Sequence, residues 1–155
     1  MKQLTWKAIL PLTIISFFFV SKWWYVLPID APDTMMGGFP LIWVSDAWHT
    51  SLAYQIFVLE LIANFLLYFL FWFLVFFTIN RYYFEIKVPK ALTIASLSIS
   101  GLICILVLLI GTMPNHIYKV KRDFDIEVLT TGYTFFWEHR ERPKYEDYKE
   151  IDKPK

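Results

Sequence analysis

The sequence has little charge and a single cysteine. Charged residues make up 19% of its 155 positions, against about 25% in an ordinary soluble domain. The net charge is +1, so nothing in the composition indicates nucleic-acid binding, for which a basic face or stripe is typical. One thiol, Cys104, cannot form an internal disulfide, and no Cys/His spacing fits a zinc site. We therefore expect no nucleic-acid partner, no metal and no other cofactor.

Catalytic signatures are missing as well. The sequence contains no Walker loop, no Gly-rich dinucleotide fingerprint, no Gly-x-Ser-x-Gly and no His-Glu-x-x-His. Serine, histidine and aspartate occur, but without the spacing of a nucleophile elbow. These absences favour a non-catalytic protein over an enzyme.

What the chain does have is long apolar runs. Hydrophobic residues make up 57% of it, and its mean hydropathy is +0.44. A helix needs about 20 mostly apolar residues to cross a bilayer, and neither 61–80 nor 91–115 contains a charged residue. We predict membrane spans over 47–80 and 90–114. The span over 47–80 is predicted to begin before its charge-free run at 61–80, because Ser45 and Asp46 are residue types that commonly cap the N-terminus of a helix.

The N-terminal apolar run is shorter. Lys7 and Lys22 bracket 14 uncharged residues, a length that also fits a removed signal peptide. However, no small-residue cleavage pattern precedes Lys22, and apolar residues resume at 23–27. We predict an uncleaved span over 5–27, in which Lys22 extends its amine to the membrane surface.

Lysine and arginine are distributed unevenly between the connections. The outer loop, 28–46, contains neither residue, whereas the N-terminal tail and the connection at 81–90 together contain five. The positive-inside rule therefore places the N-terminus in the cytoplasm and the C-terminus outside, although Lys119, Lys121 and Arg122 oppose this orientation. The composition is similar to that of small multi-span proteins of AT-rich bacteria, so we expect a bacterial inner membrane.

The C-terminal region alternates apolar and charged residues over 120–128, which predicts a half-buried strand. A turn at 130–132 and alternation over 133–137 then predict a β-hairpin at 119–140, followed by a charged flexible tail at 141–155. A lone hairpin is marginally stable, so 41–44 of the outer loop is expected to add a strand or a cover. The predicted fold class is a mainly α membrane protein, with a three-span helical domain at 1–118.

Ionisable residues within a span are candidates for function. On one continuous helix His49, Glu60 and Asn64 share a face, with Asp46 one turn earlier. This stripe predicts a proton-binding or ligand-binding site. The structural alternative is that Glu60 pairs with Lys22 and that Asn64 forms an interhelical hydrogen bond.

His49 and His116 form a second candidate pair, at the outer ends of two spans. Two histidines at matched depth could bind a haem iron or another metal. No haem-attachment motif is present, so the alternative is a pair of interfacial polar residues.

Three functions remain open. The first is an accessory or scaffold subunit that docks a protein partner through its aromatic outer surface. The second is an oligomeric transport, ligand-binding or proton-binding protein that uses the Glu60 stripe. The third is an enzyme that acts on a lipid or quinone at the outer interface through His49, Glu60 and His116. The lipid bilayer is a partner in all three.

Overall fold

The computed structural model describes residues 2–29, 32–47, 53–135 and 143, and it divides into two compact units. The helical unit comprises Met1–Val20 and Ile62–Pro114. The sheet unit comprises Ser21–Leu61 and Asn115–Lys155. Each unit therefore combines two separate stretches of the chain.

The helical unit begins with one continuous helical stretch and continues with two long helices. The first stretch consists of α1 (Lys2–Leu4), a π-helical segment (Thr5–Ile9) and α2 (Leu10–Phe19). The long helices are α3 (Val58–Tyr82), whose first turn belongs to the sheet unit, and α4 (Lys90–Gly111).

The two long helices can each cross a bilayer by length and composition. At 1.5 Å per residue, α3 is roughly 37 Å long and α4 roughly 33 Å, against about 30 Å of hydrocarbon. Only 6% of the most apolar window of each helix is buried within the chain. The predicted span at 90–114 agrees closely with α4, and the two helices support a membrane location.

The predicted span over 5–27 is wrong in its second half. The helix ends at Phe19, and strand β1 (Val20–Pro28) follows directly. The apolar stretch Thr5–Phe19 is roughly 22 Å long as a helix, which is shorter than the hydrocarbon layer. Tyr25 and Val26 are fully buried although they point to opposite faces of the strand. Such a two-sided strand is continuously apolar, and periodicity alone does not distinguish it from a helix.

The predicted start of the second span at residue 47 is also wrong. The residues expected to cap it, Ser45 and Asp46, belong to strand β3 (Val44–Asp46), and the helix begins at Val58, after strand β4 (Tyr54–Phe57). Backbone pairing with strands on both sides holds β4 in an extended conformation.

The sheet has six strands in the order β5-β4-β3-β2-β1-β6. Strands β1 to β4 pair antiparallel in sequence, with Trp24 opposite Met36 and Ser45 opposite Gln55, whereas β4 and β5 pair in parallel. The strands not yet given bounds are β2 (Thr34–Gly37), β5 (Ile117–Lys119) and β6 (Ile126–Phe135).

The predicted C-terminal hairpin is corrected to part of a larger sheet. The turn expected at 130–132 lies within β6, which continues from Ile126 to Phe135. Gly132 does not turn the chain but allows the close approach of the Trp23 side chain. The outer loop does contribute strands, as expected, because Val44 begins β3. Residues 136–142 and 144–155, which include the end of the hairpin and nearly all of the predicted tail, lie outside the described residues.

The core of the sheet unit lies on one face of β1. Val26, Met36, Ile42 and Phe57 form a buried cluster, against which Trp24, Phe124 and Ile126 pack. In the helical unit, the N-terminal stretch carries most of the buried side chains, and Phe17 stacks edge-on against Phe65 and Tyr68 of α3.

Candidate functional site

Glu60 lies in the first turn of α3 and binds the chain segment that follows β5. Its Oε1 atom accepts a hydrogen bond from the backbone N–H of Arg122 at 3.3 Å. Next to it, the backbone N–H of Leu59 donates to the carbonyl of Val120 at 2.9 Å. The second carboxylate oxygen, Oε2, is buried and accepts no hydrogen bond from the described residues. An unsatisfied buried acceptor is unfavourable by about 1–3 kcal/mol, which makes this oxygen a candidate acceptor for a ligand.

His116 lies immediately before β5 and contacts β4. Its Nδ1 atom accepts a hydrogen bond from the backbone N–H of Tyr54 at 3.1 Å, and the two rings lie 5.5 Å apart. An accepting Nδ1 places the proton of the neutral imidazole on Nε2. Nε2 is buried and has no hydrogen-bond partner among the described residues. His116 thus presents a donor, where Glu60 presents an acceptor.

These two groups do not form one site. His116 contacts the beginning of β4, whereas Glu60 follows the end of β4 and contacts Arg122. At about 3.3 Å per residue, the four residues of β4 alone extend over roughly 13 Å. Glu60 and His116 therefore lie at opposite ends of β4.

Asp46 lies on β3 opposite Tyr54, which brings it near the His116 end of the sheet. It lines a cleft of about 310 Å³ in the sheet unit. The polar lining is completed by Tyr54, Ser21 and the buried Ser45. A cleft of this size could hold a small polar ligand.

Lys22 lies on β1 within an aromatic surface. Its ammonium group is 3.7 Å from the centroid of a Trp24 ring and 5.8 Å from that of Tyr133. The ring of Tyr133 packs edge-on against Phe39 at 5.8 Å. No ion pair joins Lys22 to Glu60 among the residues that the structure describes. We call Lys22, Trp24, Phe39 and Tyr133 the aromatic surface.

The predicted stripe does not exist as one helical face. Asp46 is on a strand, and α3 begins only at Val58, so of the four residues the structure places Glu60 and Asn64 alone on that helix. Asn64 is fully buried, in the helical unit, while Glu60 belongs to the sheet unit. His49 lies outside the described residues, so its pairing with His116 stays a prediction.

Sequence reasoning missed Tyr133, Phe39 and Tyr54. The signal for Tyr133 is its position on the strand next to that of the cationic Lys22, which only the β6–β1 pairing reveals. Phe39 follows Gly38, whose φ of 132° marks an irregular loop that brings the aromatic ring to the surface. Tyr54 binds His116 through its backbone N–H. A pattern of side chains in the sequence does not predict such a contact.

No group of three or more His, Cys, Asp or Glu side chains able to hold a metal ion occurs within the described ranges. Comparisons with protein-family models, with curated proteins and with solved structures find no match to this chain.

Proposed function

We propose that this chain is a non-catalytic, membrane-anchored accessory protein that binds a protein partner through the aromatic surface of its sheet unit. The observation that carries the proposal is the ordered stacking of a cation and aromatic rings at a partly exposed position. Tyr133 is 63% exposed and Phe39 is 40% exposed. Tyrosine and tryptophan side chains that are already held in place are typical of the residues that dominate binding energy in protein interfaces.

The aromatic surface is held from behind. The indole N–H of Trp24 donates to the carbonyl of Gly38 at 2.9 Å, which links β1 to the loop that carries Phe39. Trp24 also packs against the buried cluster of the sheet. Binding to such a surface orders few additional side chains, and this lowers the entropic cost of association.

Chain connectivity supports the membrane arrangement that we propose. Strands from before α3 and from after α4 belong to one sheet, so both stretches lie on the same side of a membrane that these helices cross. We further propose that the N-terminal stretch inserts beside them as a third, shorter span. The positive charge at 81–90 favours a cytoplasmic location for that connection, with the sheet and the C-terminus outside a bacterial inner membrane.

Mild-detergent purification from the native cells, followed by mass measurement, tests the proposal. We expect a stoichiometric second protein with the 18.5 kDa chain. Tyr133→Ala and Phe39→Ala should each weaken its binding, and so reduce its recovery, by roughly 30-fold, the loss typical of an interface hot spot. Tyr118→Ala is the matched control, since Tyr118 is 54% exposed on β5 at the opposite edge of the sheet. A monomer without a partner, or equal recovery with all three variants, would refute the proposal.

A second candidate function is proton or ligand binding by an oligomer of this chain. The buried Oε2 of Glu60, which has no hydrogen-bond partner among the described residues, favours it. Glu60→Gln removes the carboxylate but keeps the oxygen that accepts from Arg122. If Glu60→Gln changed neither folding nor phenotype, this candidate would be eliminated. A homo-oligomer that binds a ligand, and that loses this binding in Glu60→Gln, would favour it.

A further inference from the structure

All charged residues of the helical unit lie at one end of it. Between 2 and 20 and between 62 and 114, the sequence has six charged residues, five of them cationic. None lies within the apolar parts of α2, α3 or α4. The net charge of this end is therefore +4. Its members are Lys2, Lys7, Arg81, Glu85, Lys87 and Lys90.

A cleft of about 550 Å³ lies among these residues. Lys7 and Lys87 line it, together with the amide side chains of Gln3 and Asn80 and the carboxylate of Glu85. The cleft thus combines two ammonium groups with two amides that can donate hydrogen bonds. This set of donors matches a phosphate group, which needs cations and N–H donors around several oxygens.

Neither lysine is tied to a strong internal partner. The ammonium of Lys7 donates to Gln3 Oε1 at 3.4 Å. Lys87 lies 3.9 Å from Glu85, and both side chains are more than three-quarters exposed. Exposed pairs of this kind contribute little energy, so both ammonium groups can turn toward an anion in the cleft.

The surroundings match a lipid headgroup. The cleft contains the connection between α3 and α4 and lies beside Tyr82, Tyr83 and Phe84, which are 67–77% exposed. Aromatic side chains at the end of apolar helices are typical of the interfacial layer of a membrane. Basic pockets between helices at a cytoplasmic surface are suited to anionic headgroups.

We propose that this cleft binds the phosphate group of an anionic phospholipid through Lys7 and Lys87. The proposal rests on the proposed insertion of α3 and α4 into a membrane, but not on the protein partner. The same chemistry would accept a soluble phosphate compound, and the experiment separates the two sources.

The test uses the full chain in nanodiscs that contain phosphatidylcholine and phosphatidylglycerol. Native mass spectrometry measures which lipid stays bound after release from the disc. We expect preferential retention of phosphatidylglycerol, weakened roughly 30-fold by the double change Lys7→Gln and Lys87→Gln, since each basic residue contributes about fivefold. Lys119→Gln with Lys121→Gln is the matched control, because it removes the same charge from the sheet unit, outside the aromatic surface.

Two further arms complete the design. The melting temperature of the chain is measured with and without inorganic phosphate at about 10 mM, a concentration that detects weak binding. A higher melting temperature with phosphate identifies binding of a soluble ligand. Stabilisation by phosphate without any phosphatidylglycerol preference would assign the cleft to a soluble phosphate compound and overturn the lipid assignment. Equal phosphatidylglycerol retention in the double variant and the wild type, with unchanged melting, would overturn the site itself. Native membranes are also washed with alkaline carbonate, which removes proteins that are not inserted in the bilayer. Release of the chain by this wash would refute membrane insertion.

Discussion

The backbone of Gly132 on β6 lies directly against the indole ring of Trp23 on β1. A Cβ atom built on Gly132 would be 2.6 Å from Cε2 and Cζ2 of that ring, which is too close for any side chain. We predict that Gly132→Ala destabilises the fold by about 1–3 kcal/mol, the usual cost of overpacking. Chemical or thermal unfolding of the purified chain measures this loss.

A second change identifies the cause. Trp23→Leu combined with Gly132→Ala should recover much of the lost stability, because the smaller side chain leaves room for the methyl group. Gly101→Ala is the matched control. Nothing lies within 4 Å of a Cβ built there, so this change should be neutral or slightly stabilising in the helix. If Gly132→Ala were as harmless as Gly101→Ala, the close approach would be wrong.

The long helices could be predicted because their signal is composition over length. α4 contains a charge-free run that exceeds the thickness of the hydrocarbon layer, and no tertiary contact is needed to recognise it. The boundaries of the other two spans could not be predicted in this way. Tyr25 and Phe57 are buried in a sheet, and the residues around them are apolar as well. The sequence therefore shows no hydrophobic periodicity there that would distinguish a strand from a helix.

Lys119 and Asp123 form a close ion pair across the turn after β5. The ammonium of Lys119 lies 2.7 and 2.8 Å from the two carboxylate oxygens. This hydrogen bond lowers the pKa of Asp123 below its ordinary value of 3.8, with a small opposing effect of burial. A lowered pKa means that the fold favours the ionised form, so the stabilisation is present above the ordinary pKa and is lost as the pH falls through the folded one.

We predict that NMR titration of the Asp123 carboxyl gives a pKa below 3.8 and that Lys119→Met returns it to the ordinary range. Lys121→Met, which removes the same charge two residues away, should leave that pKa in place. Both side chains are accessible to water, so we expect little change in the free energy of unfolding. A pKa of Asp123 that does not respond to Lys119→Met contradicts the pairing.

His116 provides a backbone partner for Tyr54. We predict that His116→Leu lowers stability by about 1 kcal/mol, because the exposed N–H of Tyr54 loses its acceptor and water only partly replaces it. His116→Asn should cost less, since its Oδ1 atom can accept at a position similar to that of Nδ1. ¹⁵N NMR of labelled histidine should show a protonated Nε2 and an unprotonated Nδ1 in the neutral ring. A protonated Nδ1 in the neutral ring would be inconsistent with this hydrogen bond.

The sequence identifies Glu60 and His116 as candidate residues but does not predict their positions in the fold. Glu60 and His116 are recognisable from sequence because ionisable groups next to long apolar runs are unusual. Their partners are backbone N–H groups of Arg122 and Tyr54, which are brought near by the parallel pairing of β4 with β5. That pairing joins chain segments about 60 residues apart, and no local pattern encodes it.

Cys104 gives a direct test of membrane insertion. It is the only cysteine of the chain, and it is exposed near the middle of α4. If α4 crosses the bilayer, this exposed surface faces the hydrocarbon layer, which a water-soluble maleimide cannot enter. We predict no labelling of Cys104 in intact membranes and full labelling after solubilisation in sodium dodecyl sulfate.

The matched control is Tyr83→Cys in a Cys104→Ala background, because Tyr83 is 77% exposed in the connection between the helices. That cysteine should label without detergent once the cytoplasmic side is accessible. Rapid labelling of Cys104 in intact membranes would show that α4 is in water, and the membrane anchor would have to be abandoned.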